Sequence, residues 1–241
     1  MTLTMGSGPF GHQPAGIFNF EPPEHVTLVE PVPRRIRGHK DGTTVVNSER
    51  AMLVWQTRRL PYYAFPQEDV TAGGTPEPLV EGYVTVPWAD LDEWFEEDER
   101  VMVHPRDPYH RIDTFATSRK VTVSLDGVVL AESTDAKALY ETGLPIRYYL
   151  PFRDVRLEHL VRSETVTQCA YKGTAAHWSA RVGDAVHPDV AWTYEGDDVQ
   201  REAEPVRGRI CFYNERTDID VDGLAQARPR TPWSRSAIEE L

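Results

Sequence analysis

The residues with the greatest chemical reach lie in one run, Thr167-Gln168-Cys169-Ala170-Tyr171-Lys172-Gly173. A thiol close to an ammonium is poised for ionisation, because the positive charge favours the thiolate, which is the attacking species. The competing reading is a small buried cysteine that packs as an apolar side chain, and no histidine stands at a diagnostic spacing from it. Lys172, followed by Gly173, could reach into a cavity and hold an anionic group. A second set lies in His104-Pro105-Arg106-Asp107-Pro108-Tyr109-His110-Arg111. Arg106, His110 and Arg111 suit an anion or carboxylate, since guanidinium is a fork of donors. Asp107 could pair with them instead and make the segment a rigid connector, stiffened by its two prolines. A third set is Glu141-Thr142-Gly143-Leu144-Pro145 followed by Arg147-Tyr148-Tyr149. Successive strand residues face opposite ways, so one tyrosine of the pair is core and the other a candidate pocket wall. Trp178 and Trp192 are either further aromatic walls or core.

Other patterns carry no chemistry. Gly6-Ser7-Gly8-Pro9-Phe10-Gly11 has the letters of a dinucleotide loop, but no strand precedes it and Pro9 opposes the turn and helix it needs. Asp218-Ile219-Asp220-Val221-Asp222-Gly223 begins like a calcium loop, yet the twelfth position is Pro229 where a carboxylate is required. It reads as an exposed strand ending in an Asp-Gly turn. His159, Cys169, His177 and His187 are spread too widely for a ligand pair, and no metal site or cofactor is expected.

The 241 residues carry a net charge of −12, a field that repels phosphate backbones and disfavours nucleic acid as a partner. The basic run Arg34, Arg35, Arg37, His39 and Lys40 reads as a solvated strand face. Two cysteines make neither a disulfide framework nor a four-cysteine zinc site. No apolar stretch is long enough to span a membrane and the N-terminus has no secretory pattern, so a cytoplasmic protein is expected.

The positioning elements emerge from an internal repeat. At an offset of 85, Asp41-Gly42 falls on Asp126-Gly127, Ser48 on Ser133, Ala51 on Ala136, Thr57 on Thr142, Tyr63 on Tyr148, Pro66 on Pro151 and Asp69-Val70 on Asp154-Val155. Gly82 then meets Gly208 at an offset of 126, near the similar pairs Glu77-Pro78 and Glu204-Pro205. Copy one therefore lacks about 41 residues that copy two keeps within 156–203, including the Cys-Ala-Tyr-Lys-Gly run and both tryptophans. Val121, Val123 and Leu125 alternate as a strand, and Asp126-Gly127 is a hairpin signal because a type I′ turn needs positive φ. Strands are also expected at 128–131, 84–86, 176–182 and 209–213. One short helix is expected after Asp90, with Leu91, Trp94 and Phe95 on one face. The chain thus divides into an N-terminal arm (1–25), a truncated first β module (26–100), a linker (101–118), a complete second β module (119–223) and a tail (224–241).

Taken together, Glu141-Thr142-Gly143-Leu144-Pro145 with Arg147-Tyr148-Tyr149, Thr167-x-Cys169-x-Tyr171-Lys172-Gly173, Trp178 and Ala191-Trp192-x-Tyr194 resemble the domain of unknown function 427 family in a tandem form. Ala170 departs from the proline usual there, and copy one lacks the Cys-x-Tyr-Lys-Gly segment. The resemblance implies a mainly β, β-tent-like fold in two tandem modules with few short helices, similar to the thalidomide-binding domain of cereblon and to methionine sulfoxide reductases. Several of those relatives bind zinc through four cysteines, which this chain lacks. The family has been labelled nucleotidyltransferase-like, but no carboxylate pair or phosphate loop here would carry that chemistry, and no activity transfers.

The leading expectation is a small polar or anionic ligand in an aromatic-lined pocket of the second module, with enzymatic activity an open possibility. Tyr148, Tyr149, Trp178 and Trp192 would wall it, and Arg106, His110 and Lys172 would orient the ligand, with Tyr109, Glu141 and Tyr171 as further ligand-binding candidates. In a catalytic version His110 or Lys172 does acid–base work and Cys169 is an outside nucleophile. The alternatives are a module that reads a peptide or modified terminus, and a thiol redox protein using Cys169.

Overall fold

A computed structural model describes residues 3–11 and 14–234. The protein is mainly β and forms two compact units, Met1–His110 and Arg111–Leu241. The first unit holds β1 (Thr27–Pro31), β2 (Ile36–Lys40), β3 (Thr43–Ser48), β4 (Met52–Gln56), β5 (Tyr62–Pro66), β6 (Thr75–Pro76), β7 (Tyr83–Thr85), β8 (Glu93–Glu96) and β9 (Glu99–Val101). They make two antiparallel sheets, ordered β1-β4-β5-β7-β6 and β3-β2-β8-β9. The second unit holds β10 (Ile112–Thr117), β11 (Val121–Leu125), β12 (Val128–Ser133), β13 (Ala136–Glu141), β14 (Arg147–Pro151), β15 (Leu160–Cys169), β16 (Gly173–Val182), β17 (Ala185–Tyr194), β18 (Arg209–Phe212), β19 (Asp218–Val221) and β20 (Leu224–Ala225). Its sheets are ordered β10-β13-β14-β18-β17-β16-β15 and β12-β11-β19-β20.

The Asp-Gly signals close hairpins as expected. Asp41 and Gly42 have φ of 48° and 72°, Asp126 and Gly127 have 48° and 78°, and Asp222 and Gly223 have 54° and 82°. Both central residues of a type I′ turn need positive φ, which glycine and aspartate tolerate best. Ser48 Oγ donates to Asp69 Oδ2 at 2.7 Å and receives the Arg50 amide at 3.1 Å. Ser133 Oγ donates to Asp154 Oδ2 at 2.6 Å and receives the Asp135 amide at 2.9 Å. The isolated bridges Val46–Val70 and Ala131–Val155 sit beside these contacts.

Residues 160–194 supply three ten-residue strands, β15–β17, which extend the large sheet of the second unit. Alternation gives this sheet two faces. One face carries Ala138, Tyr148, Leu150, Ala191, Ile210 and Phe212 and packs on Val121, Val123, Leu125, Ile219 and Val221 of the smaller sheet. The other carries Leu139, Tyr149, Ala175, Trp192, Tyr194 and Cys211 and is covered by Val199, Ala203 and Val206.

Two expectations need correction. Residues 91–95 are not helical: Trp88–Asp90 is one 3-10 turn, and β8 follows. Leu91, Trp94 and Phe95 match a helical stripe by spacing, but Trp94 and Glu96 both point inward on a period of two, and Glu96 is held there by the Tyr63 hydroxyl at 2.6 Å. The 101–118 segment is not wholly a linker, because 112–117 pairs along β13 as the edge strand β10. The N-terminal arm is seated on the first unit where it is described: Leu3 packs on its core, Thr4 is buried and the Arg58 amide donates to the Thr4 carbonyl at 3.0 Å.

The basic run at 34–40 is neutralised locally. Arg37 pairs with Asp98 at 2.8 Å, and Lys40 donates to the Asp90 carbonyl at 2.9 Å. No helix among the described residues is long and apolar enough to cross a membrane.

Candidate functional site

The distinctive Cys-Ala-Tyr-Lys-Gly run is the turn between β15 and β16, closed by the pair Cys169–Gly173. Gly173 has φ of 95°, and a Cβ there would lie 2.5 Å from the Asp198 carbonyl oxygen, so only glycine fits. The Asp198 carboxylate receives the Thr174 amide at 3.0 Å. Ala170 and Tyr171, within the turn, are buried.

This geometry turns Lys172 inward, where its ammonium pairs with the carboxylate of Glu141 from β13. Both side chains are almost fully buried. Burial pushes the Lys172 pKa down, but Glu141 and then Cys169 and Tyr149 outweigh it, and the net shift is upward. A lysine held this firmly as a cation cannot serve as a base at neutral pH. The anionic group it holds is the protein's own carboxylate. Cys169 is half-buried and unpaired, and Cys211 is fully buried with its thiol pKa driven up by burial.

Beside this pair the same face holds a second buried ion pair. Arg147 grips Glu215 through two hydrogen bonds, 2.8 and 2.7 Å, and Asn214 at 3.0 Å. Its guanidinium lies 5.4, 5.8 and 5.9 Å from the ring centres of Trp192, Tyr213 and Trp233. Trp192 Nε1 donates to the Tyr149 hydroxyl at 3.1 Å. Tyr149 is fully buried, which raises its pKa well above the ordinary value. These aromatic rings are filled by the protein's own arginine and packing.

The opposite face is open near its β10 edge. A cavity of about 450 Å³ is lined by Asp113, Phe115, Ala116, Thr117, Arg119, Ala138, Tyr140 and Tyr148. The register explains the convergence: Phe115 stands opposite Ala138, and Ala138 opposite Tyr148, so a small residue forms the floor between two large rings. Phe115 and Tyr140 are 58% and 45% exposed and meet edge to face at 5.8 Å, leaving two apolar rings in solvent. Arg119 pairs with Asp222 at 2.6 Å, and Asp113 with Arg111 at 2.8 Å.

The expected site residues therefore separate. Glu141, Tyr149, Tyr171, Lys172 and Trp192, with Cys169, cluster on or beside the covered face. Tyr148 and Trp178 belong to the other face, Tyr148 in the open recess and Trp178 against Phe152 at 5.6 Å and under Arg162. A single wall of Tyr148, Tyr149, Trp178 and Trp192 does not form, because neighbours along a strand diverge. Arg106, Tyr109 and His110 lie in the first unit. There the Arg106 amide donates to Glu96 at 3.2 Å, the Tyr109 hydroxyl to Glu30 at 2.6 Å and the His110 amide to the Asp107 carbonyl at 3.1 Å. Asp107 is buried and accepts from Trp55 Nε1 at 3.0 Å.

Sequence reasoning missed Phe115, Arg119 and Tyr140. The signal was the alternation Asp113, Phe115, Thr117, which sits in the stretch read as linker. Among the described residues no three His, Cys, Asp or Glu side chains converge as a metal site.

No curated protein sequence matches this chain. Residues 113–223 match the family model described as Domain of unknown function (DUF427), a span that begins within β10 and ends at the turn after β19. Over residues 113–223 the chain is thus similar to the domain of unknown function 427 family.

Proposed function

We propose that the second module binds a small molecule with a planar apolar body and a polar or anionic end in the recess framed by Phe115, Tyr140 and Tyr148. The carrying observation is that two exposed aromatic rings, Phe115 and Tyr140, and the largely buried ring of Tyr148 converge on an alanine floor in an open cavity of about 450 Å³. Concave sites with aromatic walls and a few polar groups are the usual form of small-ligand sites. Arg119 and Asp113 offer one cationic and one anionic group at the rim. Binding rather than catalysis is favoured, since Lys172 is neutralised by Glu141 on the other face. Two unpaired cysteines suit a reducing, cytoplasmic setting.

The test is fragment mapping by amide NMR with small aromatic carboxylates, using benzoate first. Perturbations should centre on Phe115, Tyr140 and Tyr148 and vanish in Tyr140→Ala. Perturbations centred on Trp192 or Lys172 would place the site on the other face and refute the reading.

A second reading is recognition of an extended peptide. It is favoured by β10, an edge strand that borders the recess and offers unpaired backbone groups. We also infer that both units descend from one module, supported by matching strand orders and by the Ser48–Asp69 and Ser133–Asp154 hydrogen bonds.

A further inference from the structure

Three adjacent strands of the large sheet are distorted around one buried histidine. The β15–β16 register shifts between Arg162 and Val166, so Ser163, Glu164 and Thr165 bulge opposite His177. The β16–β17 register shifts on the other side, between Trp178 and Ala180. Asp189 sits in that second irregularity with φ of 50°, a left-handed conformation that aspartate tolerates better than most residues. Bulges re-aim side chains and are common beside active sites.

What they aim is a short polar series. Thr167 Oγ1, on an exposed residue, is 2.9 Å from His177 Nε2. His177 is 3% exposed, and its Nδ1 has no hydrogen-bond partner among the described residues. The Asp189 carboxylate acts on the ring through its charge; its Oδ2 accepts from Thr165 at 2.8 Å, and Ser163 also bonds the carboxylate. Tyr213 stacks on the imidazole at 6.3 Å. When Nε2 accepts from the Thr167 hydroxyl, Nδ1 carries the proton; Asp189 makes no hydrogen bond to the ring, and its charge favours the imidazolium that follows. Burial lowers the His177 pKa, Asp189 raises it and Arg216 lowers it, with a net fall that keeps the ring a neutral base.

We propose that Thr167, His177 and Asp189 form a hydroxyl–imidazole–carboxylate site that accepts an acyl group from a small activated ester. The site stands on the face opposite the aromatic recess and does not depend on that reading. Thr167 Oγ1 attacks the ester carbonyl carbon, and its proton passes to His177 Nε2. The carbon–oxygen bond to the alcohol breaks, and the leaving oxygen takes that proton. Water, deprotonated by the same nitrogen, then releases the carboxylic acid and restores the threonine. Asp189 is a positioning residue.

The test exposes the full chain to p-nitrophenyl acetate and follows acetylation of the peptide bearing residue 167 by mass spectrometry. The adduct should form on Thr167 and persist in Thr167→Ser. It should be absent in Thr167→Val and slow by about 100-fold or more in His177→Gln, the usual worth of a positioned base. In Asp189→Asn the midpoint of the pH–rate profile should move to lower pH, because the carboxylate facing His177 is gone while Arg216 remains. An unmodified Thr167 under conditions that acetylate surface lysines would overturn the proposal, as would equal rates with and without His177. Should His177→Gln fail to fold, the wild-type profile decides: a plateau above the histidine midpoint supports the site, and a rate that climbs linearly with hydroxide overturns it.

Discussion

The Lys172 ammonium and the Glu141 carboxylate meet as a buried ion pair, although 31 residues separate them in the chain. Glu141 ends β13, and Lys172 sits in the β15–β16 turn, so the contact ties that hairpin to β13 near the other edge of the sheet. Removing one partner leaves an uncompensated buried charge, which costs about 3–5 kcal/mol. Lys172→Ala should therefore lower the urea-unfolding free energy by that order. The double variant Lys172→Met with Glu141→Leu should recover most of the loss, because apolar replacement of a whole pair is often neutral.

Arg147 and Glu215 make the corresponding pH-dependent contact. Burial pushes the Glu215 pKa up, but hydrogen bonding and charge from Arg147 push it further down, so the net shift is downward. A depressed carboxylate contributes stability above its unfolded pKa of about 4.3, and that contribution is lost as pH falls through the lower folded value. Thermal unfolding followed from pH 7 downward should show stability falling below about pH 4, with a shallower fall in Glu215→Gln.

Two glycines with positive φ should respond unequally to alanine. Gly127→Ala meets open space and carries only the left-handed backbone penalty, about 1–2 kcal/mol. Gly173→Ala adds a clash with the Asp198 backbone at 2.5 Å and should be the more destabilising of the two. Equal unfolding midpoints would show that the β15–β16 turn is looser than described.

The two thiols should separate by access. Iodoacetamide in native buffer should label Cys169, which is half-buried, before Cys211, which is fully buried with a raised pKa. Peptide mapping of the singly labelled protein checks the order.

Much of the framework was legible because it is local. Asp126-Gly127 and Asp41-Gly42 announce their hairpins through a backbone requirement few residues meet. Ser48 and Ser133, aligned at the offset of 85, each hydrogen-bond an aspartate 21 positions further on. The site was less legible, because its contacts depend on register between distant strands. Nothing near Lys172 in the sequence indicates Glu141, and nothing near Tyr148 indicates Phe115. The Tyr148–Tyr149 alternation sends the two rings to opposite faces of the sheet, where both are buried, but it cannot say that Trp192 packs with Tyr149 and that Trp178 lies on the face of Tyr148. Residues 91–95 misled because three apolar positions fit two periodicities, and burial of the carboxylate of Glu96 cannot be seen without its partner Tyr63.

The most direct test of the account compares ligand binding at the two faces of the large sheet. Benzoate titrated into labelled wild-type protein, Tyr140→Ala and Trp192→Phe should perturb the amides of Phe115, Tyr140 and Tyr148 in wild type and Trp192→Phe alike. Those perturbations should be lost in Tyr140→Ala, whose exposed ring can be removed with little effect on folding. Perturbations that survive Tyr140→Ala and disappear in Trp192→Phe would contradict the account.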